Sequence, residues 1–401
     1  MKGGSAAVDA STLGFSGDLQ HRLVELRRAI HRHPELSFQE HATADRLVAA
    51  LRELGIDDVR RVATTGVVAR IPGVDRTAPV VAVRGDIDAL PIQEGTGLPF
   101  ASEVSGVMHA CGHDVHATWA VGAAVLLMQN PADGDVVVVL QPAEETGKGA
   151  LAILESGALD GVSAIFGGHV DRRFSVGQIV ADEGPLAASA DTFEIELIGG
   201  GAHAARPHES RDPIVAAAAV ISALQTIVAR KLNPATPGVV TVGTIHAGSA
   251  SNVIPDRATM SGTVRAVEPV SRELMLREVK HVTESVASAF GVEARVSMDL
   301  GTPPIVNPAG AIAWARRAAA SIVGEENIVP LGFLNMAGED FAHYMERIPG
   351  CFLRIGARES NGAVIPAHTP TFQAAESSIF VGAAVLSECA RVASRELAVK
   401  R

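Results

Sequence analysis

The stretch Pro79-Val-Val-Ala-Val-Arg84-Gly-Asp86-Ile-Asp88 sets a Val-rich run directly ahead of an arginine and two acids. A short apolar run without alternation reads as a strand buried on both faces, as in a parallel sheet covered by helices. Two further runs repeat the arrangement. Asp135-Val-Val-Val-Val-Leu140 leads into Gln141-Pro-Ala-Glu144-Glu145, and Ser163-Ala-Ile-Phe166 leads into Gly-Gly168-His169. Helical stretches at 114–130 and 148–158 lie between them. Strands alternating with helices predict an α/β fold with a mostly parallel sheet and flanking helices. In such sheets the ligand site lies outside the carboxyl ends of the strands. The three runs are therefore expected to present their polar residues to one cleft.

Outward from this frame, Leu19, Leu23, Leu26 and Ile30 are spaced 4, 3 and 4, and Ala44, Leu47, Val48, Leu51 and Leu54 are again helical, closed by Gly55. Two amphipathic helices thus precede the sheet. Between 189 and 301 the texture changes to TFEIELI, an Ala-rich helix over 212–231, strands near GVVTVGTI and ATMSGTVRAV, a helix over 271–290 and a last strand EARVSMDL. That order, βαββαβ, predicts a separate α+β sandwich with its own core, inserted into the first domain. Residues 1–188 and 302–401 are then one domain, and 189–301 a second domain inserted into it. A helix over 309–323, the strand CFLRIG and a closing helix over 376–397 complete the first.

Composition agrees. At 401 residues the chain exceeds what one core usually supports, and 47% hydrophobic with 20% charged residues is ordinary for a folded chain. A net charge of −11 speaks against a nucleic-acid or anionic-membrane partner, which would need concentrated basic surface. The nearest basic cluster, Arg27-Arg28, reads as the solvated face of a helix. The first twenty residues lack the apolar core of a secretory signal, and no run of about 18 apolar residues spans a membrane. Three widely spaced cysteines suit a reducing compartment, so a cytoplasmic location is expected, and the small-residue start is expected to be a loose tail.

The densest chemistry is Met108-His109-Ala-Cys111-Gly-His113-Asp114-Val-His116, one thiol and three imidazoles on a Gly-containing turn. Thiolate and imidazole bind zinc-like cations, and a helix cap at Asp114 would need one such residue, not a cluster. Adjacent Glu144 and Glu145 repel unless a cation or shared proton compensates them. One could ligate while the other moves a proton. His169, and His368 in the Pro-rich 366–370 loop, are further candidates, though a buried structural histidine is the plain alternative for each. Gly199-Gly-Gly201-Ala-His203 lacks the Lys-Ser/Thr ending of a phosphate loop, which excludes nucleotide binding. Asn252 and Arg265 are donors of the kind that hold a carboxylate.

These motifs together resemble a known family. HRHPELSFQEH (31–41), RGDIDALPI (84–92), MHACGHDVHAT (108–118), QPAEETGKGA (141–150), HAARPHESRDPI (203–214), NVIPD (252–256), GTVR (262–265), AGEDFAHY (337–344) and PAHTP (366–370) follow one another in its order. The chain is similar, from about residue 17 to 397, to the dinuclear-metal aminoacylases and carboxypeptidases, with their zinc-exopeptidase-like catalytic domain. Their amidohydrolase branch holds hippurate hydrolases, auxin–amino acid conjugate hydrolases and N-acetyl-diaminopimelate deacetylases. The resemblance implies that Cys111, His113, Glu145, His169 and His368 ligate two divalent metal ions, with Cys111 bridging where many relatives have Asp. It implies Asp86 behind the ligands, Glu144 as general acid/base, His203 reaching a partner subunit's site, and Asn252 and Arg265 on the substrate's carboxylate.

Such a donor set suits Zn, Mn, Co or Ni. The implied reaction is hydrolysis of the amide of an N-acetyl, N-benzoyl or aryl-acetyl amino acid by a homodimer or dimer of dimers. A di- or carboxypeptidase of the same fold is the alternative, and a silent binding protein that keeps the cleft is a third reading. Four departures from the family pattern stand out: Gly168 where Leu often precedes the histidine, Arg172-Arg173 where Pro-containing segments are common, Ala202 where Gly is usual, and Phe372-Gln373-Ala374 without acids.

Overall fold

A computed structural model describes residues 9–399, so the expected loose start, residues 1–8, lies outside the described residues. The chain divides into two compact units, one formed by Met1–Gly184, Asn307–Phe333 and Asp340–Arg401, the other by Pro185–Val306 and Leu334–Glu339. The short return at 334–339 is not foreseen in the sequence.

In the first unit, a seven-stranded sheet runs in the spatial order Val59–Val62, Gly66–Ile71, Val136–Gln141, Val80–Asp86, Val162–Ser175, Gly350–Arg358, Ile179–Val180. The four strands from Val136–Gln141 to Gly350–Arg358 are parallel. The flanking pairings are antiparallel. Every residue of Val136–Gln141 is buried, and so is all of Val80–Asp86 except its half-buried first valine. That two-sided burial is why these strands read as unbroken apolar runs. Asp86 pairs in register with Gln141, which brings two of the three polar strand ends to one level.

Two features differ from the sequence reading. The third run continues through Gly167-Gly168-His169 to Ser175, so His169 sits within a strand and not beyond its end. Pairing with Gly350–Arg358 carries the strand past two glycines of low β-propensity. The hairpin Val59–Val62 with Gly66–Ile71 is too short and polar to stand out in the sequence, and its antiparallel pairing makes the sheet mixed.

The helix His113–Gln129 is buried from His113 through Leu127 and therefore carries no amphipathic stripe. It packs with Gly17–Arg32, whose Leu19, Leu23, Leu26 and Ile30 are buried as their spacing predicts, and with the closing helix Ser377–Val399. The closing helix and Pro213–Lys231 are apolar and long enough to cross a membrane by composition, but 78% of the apolar window of the former lies inside the protein.

The second unit holds an antiparallel sheet in the order Gly238–Ala247, Arg257–Ala266, Ala190–Ile198, Glu293–Thr302. Alternate residues Phe193, Ile195 and Leu197 join Ala217, Val220 and Leu224 of helix Pro213–Thr226 and Met275 and Val279 of helix Pro269–Ala289 in one core. Asp212 caps the first helix through Ile214 N–H at 2.9 Å. The expected single helix over 212–231 ends in a π-turn, Ile227–Lys231.

Candidate functional site

The parallel strands deliver their polar ends to a cluster at the start of helix His113–Gln129. Gly112, at φ 93°, turns the chain into that helix, and a Cβ there would stand 2.4 Å from Val170 Cγ2. Both the left-handed backbone and the close approach require glycine. The turn sets Cys111 before the helix and His113 at its first residue. Cys111 Sγ lies 3.2 Å from His169 Nε2.

His113 is held through Nδ1, 3.0 Å from both the carbonyl and the carboxylate of Asp88. Its Nε2 is buried without a hydrogen bond. That atom lies 3.9 Å from a carboxylate oxygen of Glu144 and 3.9 Å from one of Glu145. His169 donates Nδ1–H to Val170 O at 2.7 Å, which leaves its Nε2 lone pair facing the thiol. His368, half exposed and at φ 63°, brings Nε2 to 3.4 Å from Glu145 Oε1, itself buried without a hydrogen bond.

Donor atoms lie within 4.8 Å of one another inside each of three groups: Cys111, His113 and His169; Cys111, Glu145 and His368; and His113, Glu144 and Glu145. A buried imidazole nitrogen without a hydrogen-bond partner amid thiol, imidazole and carboxylate donors fits a divalent cation. The structure thus brings together Cys111, His113, Glu144, Glu145, His169 and His368.

Glu144 and Glu145 stand on a 3-10 turn, Glu144–Thr146, after a left-handed Ala143. Glu40 fixes that turn by accepting Ala143 N–H at 2.8 Å and the hydroxyl of Thr65. Burial above all raises the Glu40 pKa. Asp340 N–H donates to Glu144 Oε1 at 3.3 Å.

Asp86 touches His116 and not His113 most closely. It accepts His116 Nδ1–H at 2.6 Å and lies 3.7 Å from His113 Nε2. His116 Nε2 in turn accepts Val170 N–H at 2.9 Å, so both nitrogens of this third imidazole are used within the protein. Asp86 is buried, which alone would raise its pKa, yet Arg84 and the two histidines hold it well below the carboxylate range.

The carboxylate that orients His113 is Asp88, which also accepts Glu145 N–H at 3.0 Å and Ser37 Oγ–H at 2.7 Å. Asp88 stands two residues past Asp86 with the same chemistry, and nothing in the sequence distinguishes their roles; only the folded chain shows which acid meets which histidine. Asp88→Asn, which trades one hydrogen-bond acceptor for a donor, is expected to weaken cation binding about 10–100-fold, as orienting partners of ligands usually do. Isothermal titration of the metal-free protein checks this.

The reading of Arg27-Arg28 as a solvated face is corrected. Arg27 is buried, with Nε 2.6 Å from Asp114, because its helix face packs on the start of His113–Gln129. His31 joins Asp114 at 2.8 Å, and Arg28 pairs with Glu376. Burial would lower the His31 pKa, but Asp114 raises it overall. His109 is buried with neither nitrogen hydrogen-bonded, and burial pushes its pKa down to about 3.

In the second unit, His203 lies on the ribbon Ala202–His203 that pairs with Val253–Ile254, next to Asn252, whose carbonyl accepts Ala204 N–H at 3.0 Å. His203 is exposed, and its Nδ1 accepts Ala205 N–H at 3.1 Å, which places the ring proton on Nε2. Arg265 stands on the sheet opposite Val239.

Fold and donor set together define a metal-dependent amidohydrolase built on a parallel α/β sheet. The model of the family described as Peptidase family M20/M25/M40 matches residues 82–392, and the chain belongs to that family. An N-acetyl-L-cysteine deacetylase of Bacillus subtilis is 42% identical over 93% of this chain and 88% of its own. An IAA-amino acid hydrolase of Arabidopsis thaliana is 39% identical over 93% of this chain and 86% of its own. The crystal structure of a Bacillus subtilis dinuclear metal-binding peptidase of the M20 family superposes with a TM-score of 0.82 at 39% identity, covering 95% of this chain and 99% of that one.

Proposed function

We propose that this protein hydrolyses the amide of small N-acyl amino acids to a carboxylic acid and a free amino acid, and that Cys111, His113, Glu145, His169 and His368 hold two divalent cations (Zn, Mn, Co or Ni) for that purpose. The observation that carries the reading is the buried, unpaired His113 Nε2, turned toward a thiol and two carboxylates by Asp88. Two relatives with acyl-amino-acid names support the substrate class.

When bound, the two cations supply the charge that makes a water acidic and polarises an amide carbonyl. Glu144 accepts the proton and returns it to the leaving amine. Its carboxylate is held ready by Asp340 N–H. His203, with its proton on Nε2, is suited to donate to a developing oxyanion, and removal of such a donor typically costs about 10²–10³ in kcat. Asn252 and Arg265 grip the substrate carboxylate. The unit that carries the cation ligands is the catalytic domain, and the unit of Pro185–Val306 with Leu334–Glu339 the inserted domain through which a homodimer or dimer of dimers would bring His203 to a partner's site. A cytoplasmic location is supported by cysteines that are all buried and free.

Proton release on cation uptake follows from the same site. The Cys111 thiol is pushed up to about 12, by burial first and by Glu145 second. Burial alone would lower the His113 pKa, but Asp86 and Asp88 hold it well above its usual value. The thiol therefore carries a proton at neutral pH that ligation must displace, and the raised His113 pKa makes a proton on that imidazole a competitor of the cation. Apparent affinity is therefore expected to fall with falling pH, about tenfold per unit for each proton displaced. Titration in buffers of different ionisation enthalpy counts the protons; affinity independent of pH between 6 and 8 would count against ligation by these two residues.

The functional test is amine release from N-acetyl, N-benzoyl and indole-acetyl amino acids, beside unblocked dipeptides, by metal-free and metal-loaded protein. Cleavage of blocked substrates that requires metal supports the proposal. Activity confined to free dipeptides moves it to a dipeptidase.

A further inference from the structure

Arg172 stands three residues beyond His169 on the strand Val162–Ser175, with a buried side chain. Its guanidinium reaches a segment of 18 residues, 359–376, that contains neither helix nor strand and carries His368. It donates to Glu359 Oε2 at 2.9 Å at the start of that segment, to Ala363 O at 2.9 Å, and to Gln373 O at 2.7 Å near its end. Gly362 lets the chain close over the group, since a Cβ there would stand 3.1 Å from Arg172 Nη2.

Between these anchors the segment is tied twice more to the site. His368 N–H donates to Ala110 O, and Gly95 N–H to Pro370 O, each at 2.8 Å. His368 itself is held at φ 63°, a conformation that non-glycine residues keep only when their surroundings impose it. A planar fork that spans carbonyls and a carboxylate in different directions is the property of arginine that lysine lacks.

We propose that Arg172 is a positioning residue that fixes the His368 segment and so the one cation position that His368 completes: one strand carries His169 and, three residues on, the clamp that presents His368. The proposal rests on the reading of His368 as a ligand. It also gives a task to one of the two arginines that depart from the family pattern.

The test uses Co2+ titrated into the metal-free full chain, followed by visible absorption and equilibrium dialysis, on wild type, Arg172→Met, His368→Ala and the double variant. His368→Ala is expected to weaken one of two equivalents. Arg172→Met is expected to weaken the same equivalent at least tenfold, to leave the other within about twofold, and to add nothing in the double variant. Amide hydrogen exchange over 359–373 should quicken in Arg172→Met while the sheet stays protected.

Equal weakening of both equivalents, no weakening, or additive losses would each overturn the clamp. Undiminished binding by His368→Ala would overturn the ligand reading and the clamp with it. A loss in His368→Ala alone would overturn the clamp and spare the ligand. Should Arg172→Met not fold, Arg172→Lys keeps the charge and stem without the fork and is expected to show the same selective loss.

Discussion

Glu144→Gln is expected to lower kcat by about 10²–10⁴-fold while both cations bind with little change, because general acid–base groups contribute on that scale. The substitution is nearly isosteric. Glutamine can still accept the Asp340 N–H that now reaches Glu144 Oε1 at 3.3 Å, so the local fold is kept. What is lost is the ability to take a proton from water and hand it to the leaving nitrogen. Glu145→Gln should behave differently. Its Oε1 stands among Cys111 and His368 donors, so that variant is expected to lose cation affinity first and activity as a consequence. Metal content measured beside kcat for the two variants separates the roles. Equal metal loss in both would mean that Glu144 also ligates, and an unchanged kcat in Glu144→Gln would remove it from the chemistry.

How far the sequence reveals this molecule depends on where each force leaves its trace. Burial on both faces writes itself into composition, so Val136–Gln141 and Val80–Asp86 are legible as parallel strands. Pairing between distant segments leaves no such mark, and the extension of the third strand through Gly167-Gly168 depends on Gly350–Arg358. The same contrast holds at the site. Cys111, His113, Glu144 and Glu145 announce themselves because thiols, imidazoles and adjacent carboxylates are rare in such density. Asp88 does not, because choosing between it and Asp86 requires knowing which side of the strand end faces His113. Arg172 is visible as a departure, but two of its anchors are backbone carbonyls, which no residue type encodes.

Arg84→Met is expected to destabilise the catalytic unit by about 3–5 kcal/mol, since removing one partner strands buried opposite charge. Arg84 is fully buried and bonds Gln141 Oε1 at 2.8 Å, Asp340 Oδ1 at 2.9 Å and the Asp86 carboxylate. Methionine matches the stem and supplies no donor. Asp86 would keep His116, and Asp340 would keep Gln141 Nε2 and Ala150 N–H, but each loses its compensating cation. The pH dependence has a definite sign. Burial raises the Asp86 pKa, and Arg84 leads the groups that bring it well below the ordinary value. A depressed carboxylate pKa contributes stability that is complete above the unfolded-state value, near 3.9, and is lost as pH falls below it through the folded-state value. Without Arg84, burial is left to raise the Asp86 pKa, so the variant relieves its stranded charge by taking up a proton as pH falls, and the gap between variant and wild type should be widest at neutral pH and narrower at pH 4.5. Urea unfolding of the metal-free proteins at pH 7.5 and 4.5 measures the gap, and Arg84→Met with Asp340→Asn should recover part of it by removing one stranded charge. A gap below about 1 kcal/mol at pH 7.5 would show that the arginine is not what keeps these acids ionised, leaving the histidines His113 and His116 to carry the charge balance beneath the site.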